Sequence, residues 1–207
     1  MDVPVDVTHI TLTTDRLLLR APKSTDLYDL FSYASVPGVG ESAGWKHHES
    51  IRESQAILQM LMDQRDVLAV IHKADRKMIG TVGLHRSWAN GEEAYRRYKV
   101  REIGYVLSMA YWGQGLMPEA VNAVIRYAFD TLGLEALTCC HFMENNRSRR
   151  VIEKCGFQFI KTGTYKAEQL QKTFADMQYI LMAKGAEGKG EADGADQTQS
   201  PANTEHA

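Results

Sequence analysis

The stretch Glu102–Ala120, EIGYVLSMAYWGQGLMPEA, constrains the fold more than any other part of this chain. Ile103, Tyr105 and Leu107 alternate with Glu102, Gly104 and Val106, the period-two signature of a strand. Gly113 and Gly115 then permit a tight turn whose backbone can approach a ligand closely. Pro118 suits the first turn of a helix, where the amide hydrogen it lacks would have no partner anyway. From Val121 the apolar residues Val124, Ile125, Ala128 and Leu132 recur at helical spacing. A strand that feeds a glycine turn into a helix N-terminus presents free N–H groups and the positive end of the helix dipole. That is an anion site, and a pyrophosphate fits it. A dinucleotide-binding turn would need a third glycine where Pro118 stands, and a P-loop would need Gly-Lys-Ser/Thr. On the residues alone, a phosphate turn and a plain strand-to-helix connection both stay open.

The remaining elements can be read around this centre. Arg16–Arg20 reads as a first strand ended by Pro22. Ser24 can cap a helix running to about Ala34, with Asp26 in its first turn. Pro37-Gly38-Val39-Gly40 breaks the pattern, and Ser50 with Glu53 forms a capping-box pair for a second helix with an apolar stripe of Ile51, Ile57, Leu58, Leu61 and Met62. Val67–His72 and Met78–His85 read as a hairpin. After the central helix, closed by Gly133, come a strand at Leu137–Phe142 and a short helix from Asn146 to Lys154 stopped by Gly156. Phe157–Tyr165 and Phe174–Met182 read as a final antiparallel pair. Mixed strands and helices with hairpins at both ends predict an α/β or α+β three-layer domain. Residues 1–13 form an extension ahead of a domain at 14–183. From residue 184 the chain has no aromatic or branched aliphatic residue, so it is expected to be a disordered tail.

The net charge of −2 provides no general basic surface for nucleic acid. No apolar run approaches the roughly 18 residues that a membrane span requires, and the acidic MDVPVDV start does not read as a signal peptide. Cys139, Cys140 and Cys155 form neither a disulfide framework nor a zinc spacing, which makes a reducing cytoplasm the simplest home.

The segment WGQGLMPEA resembles the acyl-CoA loop of the GNAT-superfamily N-acetyltransferases, whose signature is Q/R-x-x-G-x-G/A. Trp112 stands in place of the first Gln/Arg, and Met117 in place of the last Gly/Ala. Both departures resemble the branch that acetylates ribosomal-protein N-termini, in which Tyr-Trp-Gly-x-Gly followed by Glu-Ala is common. A second block, ENNRSRRVIEKCGF at Glu144–Phe157, resembles that branch's N-x-x-S-x-x-V-x-E-K-x-G-F. Thr14 to Arg20 matches its opening "T-x-R-L-x-L-R", and the resemblance runs from about Thr14 to Met182. It implies the GNAT fold of about seven strands, mostly antiparallel with helices on both faces. The fourth and fifth strands splay apart, and the pantetheine arm of acetyl-CoA enters that gap.

Acetyl transfer from a thioester to an amine requires four things. The CoA must be held, the amine must lose a proton, the developing oxyanion needs a hydrogen bond, and the leaving thiolate needs a proton. No covalent intermediate or metal is required. The pyrophosphate would sit on the N–H groups of Gly113, Gln114, Gly115, Leu116 and Met117. The resemblance implies that the Val106 and Leu107 backbone pairs with the pantetheine amides, that Asn145 binds pantetheine or a water, and that Ser148 offers its hydroxyl near the thioester sulfur. The alternative for Asn145 and Ser148 is helix capping. Glu102 is the leading general base, since partial desolvation raises a carboxyl pKa toward neutrality; the other reading is a solvated carboxylate balancing Arg101. His85 is the rival base. Gly44–Ser50 resembles the family's "G-W-x-x-H-x-S" acceptor loop, with Trp45 walling the amine pocket and His48 contacting the acceptor backbone.

The expected activity is direct acetyl transfer to an acceptor amine, and a protein N-terminus of the ribosomal type is the leading acceptor. Small amines (polyamines, amino acids, aminoglycosides) are the alternative, and a non-catalytic acyl-CoA sensor is the rival of another class. Splayed-sheet acetyltransferases occur as monomers and as homodimers, and no interface signature is legible.

Overall fold

A computed structural model describes residues 1–186. The elements in chain order are β1 (Thr11–Thr13), β2 (Leu17–Arg20), α1 (Leu27–Ala34), α2 (Ile51–Gln64), β3 (Val67–His72), β4 (Lys77–His85) and β5 (Val100–Leu107). They continue with α3 (Leu116–Asp130), β6 (Ala136–Phe142), α4 (Asn146–Lys154), β7 (Gln158–Ala167) and β8 (Lys172–Met182). The strands form one sheet in the order β1-β2-β3-β4-β5-β6-β8-β7. Every pairing is antiparallel except β5 with β6, which are joined by the crossover helix α3. β3 is buried along nearly its whole length, as expected for a central strand covered on both faces. Leu58 and the residues of α1 cover one face, and α3 and α4 pack over the other with Leu116, Val121, Val124 and Ile152.

The sheet's one discontinuity positions everything that follows. β5 pairs with β6 only from Val100 to Glu102, opposite Ala136 to Thr138. Beyond that register β6 pairs with β8 alone, and β5 with β4 alone. The strands diverge and leave one side of β5 without a partner strand from Ile103 onward. The splay is the one that the sequence resemblance implies, with β5 and β6 as its fourth and fifth strands.

There are eight strands rather than about seven. The extra one, β1, is three residues long, Thr-Leu-Thr, too short to carry a readable alternation. It pairs with β2, and Val7 just ahead of it is 1% exposed, its N–H donating to Arg65 O at 2.8 Å. Residues 1–13 thus pack onto the domain. The tail expected from residue 184 lies, beyond Ala186, outside the described residues.

Two caps differ from expectation. Ser24 does not start an α-helix: Ser24–Asp26 is a single 3-10 turn, and α1 begins at Leu27. Asp26 is drawn inward instead, because both its oxygens bind Arg20, at 2.8 and 2.7 Å, and one also accepts the Lys23 N–H at 2.8 Å. At α2, Ser50 Oγ accepts the Glu53 N–H as expected, but the Glu53 carboxylate returns to Glu49 N–H, one residue upstream of the box.

Candidate active site

The splay opens into a cleft of about 1150 Å³ that runs from the glycine turn, past the diverging strands, to α2. Every residue singled out from sequence lines it except Gln114, whose side chain folds back to Ala110 O at 3.1 Å. At the turn, Gly113 and Gly115 have φ of 76° and 75°, the left-handed region open to glycine at little cost. Among the backbone hydrogen bonds of the described residues, none uses the N–H of Gly113, Gln114, Gly115, Leu116 or Met117. The last two are the orphan donors of a helix start. A Cβ on Gly113 would meet nothing within 4 Å, so the space in front of these groups is open. The turn is braced from outside: Arg16 donates to Gln114 O at 2.9 Å and holds Glu119, in the first turn of α3, at 2.6 Å. Burial pushes the Glu119 carboxyl up, but hydrogen bonds from Thr14 and Arg16 outweigh it and leave the pKa lowered.

Facing the turn, α4 lines the cleft with Arg147, Arg150 and Lys154, spaced i, i+3, i+7 along one side. None of the three has an ionic partner among the described residues. The Arg147 guanidinium lies 4.6 Å from the centre of the Trp112 ring, and Trp112 Nε1 donates to Leu107 O at 2.8 Å. Free N–H groups on one wall and unpaired cations on the other suit an extended polyphosphate. Sequence reasoning passed over the cations; their helical spacing inside the second motif was the available signal.

The two faces of β5 carry different chemistry. Glu102, Gly104 and Val106 point toward α1 and α2. The Glu102 carboxylate accepts from Thr138 Oγ1 at 3.1 Å and from Cys140 Sγ at 3.5 Å. Thr138 is itself linked to Ser87 Oγ at 2.7 Å. Burial raises the Glu102 pKa above its ordinary 4.5, and the Thr138 hydroxyl and Cys140 thiol pull it back only in part. Burial also pushes the Cys140 thiol far up, so it serves as a donor and not as a nucleophile. His85 is the register partner of Glu102 across β4 and β5, and its Nδ1 lies 3.3 Å from Asp66 Oδ2. Two groups that compete in the sequence are neighbours in the fold.

The opposite face bears Tyr105, which is partly buried. Its hydroxyl lies 2.8 Å from Ser148 Oγ and 3.1 Å from Ser148 O, joining β5 to the first turn of α4 across the gap. Burial raises the Tyr105 pKa well above its usual value, so the hydroxyl keeps its proton. Tyr105 was read from sequence as part of the strand's packing alternation. Its link to Ser148 depends on a long-range approach that periodicity does not encode. Asn145 caps α4, its Oδ1 accepting the Ser148 N–H at 3.1 Å, while Nδ2 donates to Ser42 O at 3.2 Å. The capping alternative therefore describes Asn145 as it stands, and its amide also ties α4 to the segment that carries Ser42.

At the α2 end of the cleft, His48 is buried, with Nδ1 2.6 Å from Ser54 Oγ, and burial lowers its pKa. The Trp45 ring stands 5.2 Å from it, packed over Gly40, where a Cβ would come within 2.3 Å of the indole. Both side chains line the cleft at its α2 end. Apolar α2 residues, including Met60 at 43% exposure, continue that wall toward solvent.

The site therefore combines an anion cradle, a desolvated carboxylate beside an imidazole, and a protonated phenol–serine pair on either side of an open strand edge. Residues 16–158 match the acetyltransferase (GNAT) domain. The uncharacterized N-acetyltransferase YoaA of Bacillus subtilis (strain 168) is 30% identical over 152 residues, 71% of this chain and 82% of YoaA. Among solved structures, the ribosomal-protein-S5-alanine acetyltransferase from Vibrio fischeri superposes with a TM-score of 0.66 at 19% identity, covering 85% of this chain and 98% of that one. The microcin C7 self-immunity acetyltransferase MccE, solved with acetyl-CoA and AMP, gives 0.66 at 21% identity, covering 82% and 94%. The family match over most of the chain and the 30% identity to YoaA make this protein a GNAT-family N-acetyltransferase, an enzyme whose family draws its acetyl group from acetyl-CoA.

Proposed function

We propose that this enzyme acetylates the free N-terminus of a polypeptide, with ribosomal proteins as the leading substrates, by direct attack of the amine on the thioester. The observation that carries the acceptor class is the character of the acceptor half of the cleft. It is open and walled mainly by Tyr33, Trp45, Ile57, Met60, Leu61 and Phe142, and Glu53 and Glu102 are the carboxylates among its lining residues. A polycation would call for a denser set of acids, whereas a peptide end brings one amine and an apolar flank. The name of the Vibrio fischeri neighbour and the two sequence motifs support the same acceptor class.

Acetyl-CoA supplies the acetyl thioester. The free N–H groups of Gly113, Gln114, Gly115, Leu116 and Met117 would hold its pyrophosphate, with Arg147, Arg150 and Lys154 adding charge from the opposite wall. Val106 and Leu107 would present the open edge of β5 to the pantetheine amides. Glu102 takes a proton from the acceptor nitrogen as the new C–N bond forms. The Tyr105–Ser148 pair delivers a proton to the departing sulfur, and Asn145 fixes Ser148 by capping α4. Trp45 and His48 shape the acceptor wall. The protein's own contribution is thus to bind, to orient and to move protons at defined atoms.

The test is free-thiol release from acetyl-CoA against Ala- and Ser-starting peptides, internal-lysine peptides, polyamines and aminoglycosides. Turnover confined to free peptide N-termini is the expected result. Turnover on small amines alone would keep the chemistry and overturn the acceptor.

A further inference from the structure

His85 does not stand up from the sheet. Its imidazole lies flat over two glycines, Gly83 and Gly104, which are register partners of each other on β4 and β5. A Cβ built on Gly83 would come within 2.3 Å of His85 Nε2, and one on Gly104 within 2.9 Å of Cδ2. Neither glycine has a positive φ, so the backbone at these two positions does not call for glycine. What the positions lack is a side chain, and the ring occupies the space. The ring's other nitrogen is tied down: Nδ1 lies 3.3 Å from Asp66 Oδ2, and because a carboxylate only accepts, Nδ1 carries the hydrogen. Asp66 is in turn held by Arg101 Nη2 at 3.3 Å. Arg101 donates from Nε to Leu84 O at 2.8 Å and pairs with Asp2 at 2.8 Å. Exposure falls along this chain from 43% for the His85 side chain to 15% for Asp66 and 9% for Arg101. The other titratable groups around the ring are Glu102 beside it on β5, Arg86 next in sequence, and Glu53 and His48 across the cleft.

We propose that Gly83, Gly104 and Asp66 form a seat that lays His85 along the floor of the cleft, and that His85 in this seat passes the acceptor's surplus proton to solvent. The inference rests on the acetyl-transfer reading. An amine arrives as R–NH3⁺ and must lose two protons before the amide is complete. His85 Nε2 takes the first, which frees the lone pair, and releases it to water through its exposed edge. Glu102 takes the second as the C–N bond forms and the C–S bond breaks, and the sulfur gains one from Tyr105–Ser148. Once the products leave, Glu102 returns its proton through solvent in the cleft to the Tyr105–Ser148 pair, which restores both groups; the net products are R–NH–acetyl, CoA thiol and one proton released to solvent. Glu102, covered by Thr138 and Cys140, is more desolvated than His85. Gly83, Gly104 and Asp66 are positioning residues: they act only through where they hold the ring.

The test is a double-mutant cycle on His85 and Gly104, read as kcat, acetyl-CoA affinity and the 15N spectrum of the His85 ring. His85→Ala should lower kcat on the order of 100-fold with acetyl-CoA affinity unchanged. Gly104→Ala should lower it by about 10- to 100-fold when His85 is present, since misplacing a catalytic group by about 1 Å costs that much. In the His85→Ala background it should cost nothing further, because the group it displaces is gone. Among the described residues, chain neighbours aside, a Cβ at 104 would meet only atoms of the imidazole within 4 Å, so the fold should tolerate alanine; Gly83→Ala replaces it if it does not. At pH 8 the wild-type ring should show a protonated Nδ1 and a bare Nε2, and Gly104→Ala and Asp66→Asn should each change that pattern. A Gly104→Ala penalty of equal size with and without His85 would overturn the seat, as would a ring spectrum indifferent to both variants. Normal turnover in His85→Ala would overturn the relay alone. A seated ring in a wild-type enzyme that acetylates no amine would overturn the relay together with the acetyl-transfer reading.

Discussion

Replacing Glu102 with glutamine tests the base assignment and makes two quantitative statements at once. The glutamine has the same shape, and its environment can accommodate it. The carbonyl oxygen can accept from Cys140, and the new amide can donate to Thr138 Oγ1 if that hydroxyl turns to donate to Ser87, 2.7 Å away. The variant should fold and bind acetyl-CoA as the wild type does. A positioned general base contributes about 10²- to 10⁴-fold, so kcat should fall by about that factor, equivalent to about 2.7–5.5 kcal/mol of barrier. The pH dependence follows from the direction of the Glu102 shift. Its folded-state pKa is raised by burial above 4.5, so the base form is lost as pH falls through the raised value, and the wild type should carry an acidic step above 4.5 that the variant lacks. Stability runs the other way. A group with a raised folded pKa stabilises fully below its unfolded pKa and loses that contribution as pH rises through the folded one. Wild type and variant should therefore be equally stable below about pH 4. Glu102→Gln should become the more stable of the two as pH rises through the raised value, with a plateau above it. Stopped-flow thiol release and urea titrations at several pH values give both curves. An unchanged kcat, or an acidic profile identical in wild type and variant, would refute the assignment; so would a wild-type enzyme that outlasts the variant in urea at pH 8.

Three other perturbations address separate parts of the structure. Gly113→Asp places a carboxylate in open space before the free N–H groups; at about 4 Å and an effective dielectric near 20 the repulsion from one phosphate charge is about 4 kcal/mol, so acetyl-CoA affinity should drop on the order of 1000-fold by calorimetry, and retained affinity would remove the turn from the cofactor site. Tyr105→Phe and Ser148→Ala should each slow turnover on the order of 100-fold, and the double variant should be no slower than the worse single one, because the two hydroxyls act as one pair; additive losses in the rate assay would separate them. Asp26→Ala strands the Arg20 guanidinium, whose pKa the Asp26 hydrogen bonds raise, and should cost about 3 kcal/mol in urea unfolding, whereas a loss under about 1 kcal/mol would mean that the pair behaves as a surface ion pair.

Much of this molecule was legible in its sequence because the signals concerned are local. The bounds of α4 and β3, the strand–turn–helix at the centre and the Ser50 cap depend on spacing within a few residues, and all stand where periodicity and turn chemistry put them. β1 was not legible because three residues carry no period, and Asp26 was misread because its partner, Arg20, lies in the preceding strand and draws it out of the helix it would have started.

The sequence by itself determined the order of the helices and of every strand but β1, the glycine turn that leads into α3, and the family. The tertiary structure alone decided who meets whom. It made His85 and Glu102 register partners, brought Tyr105 to Ser148 across the gap, and laid the imidazole over two glycines on different strands. Register and splay are settled by how the whole sheet pairs and by which helices cover each face, so a side chain's partners across strands belong to the global packing and leave no trace in the spacing of its own segment.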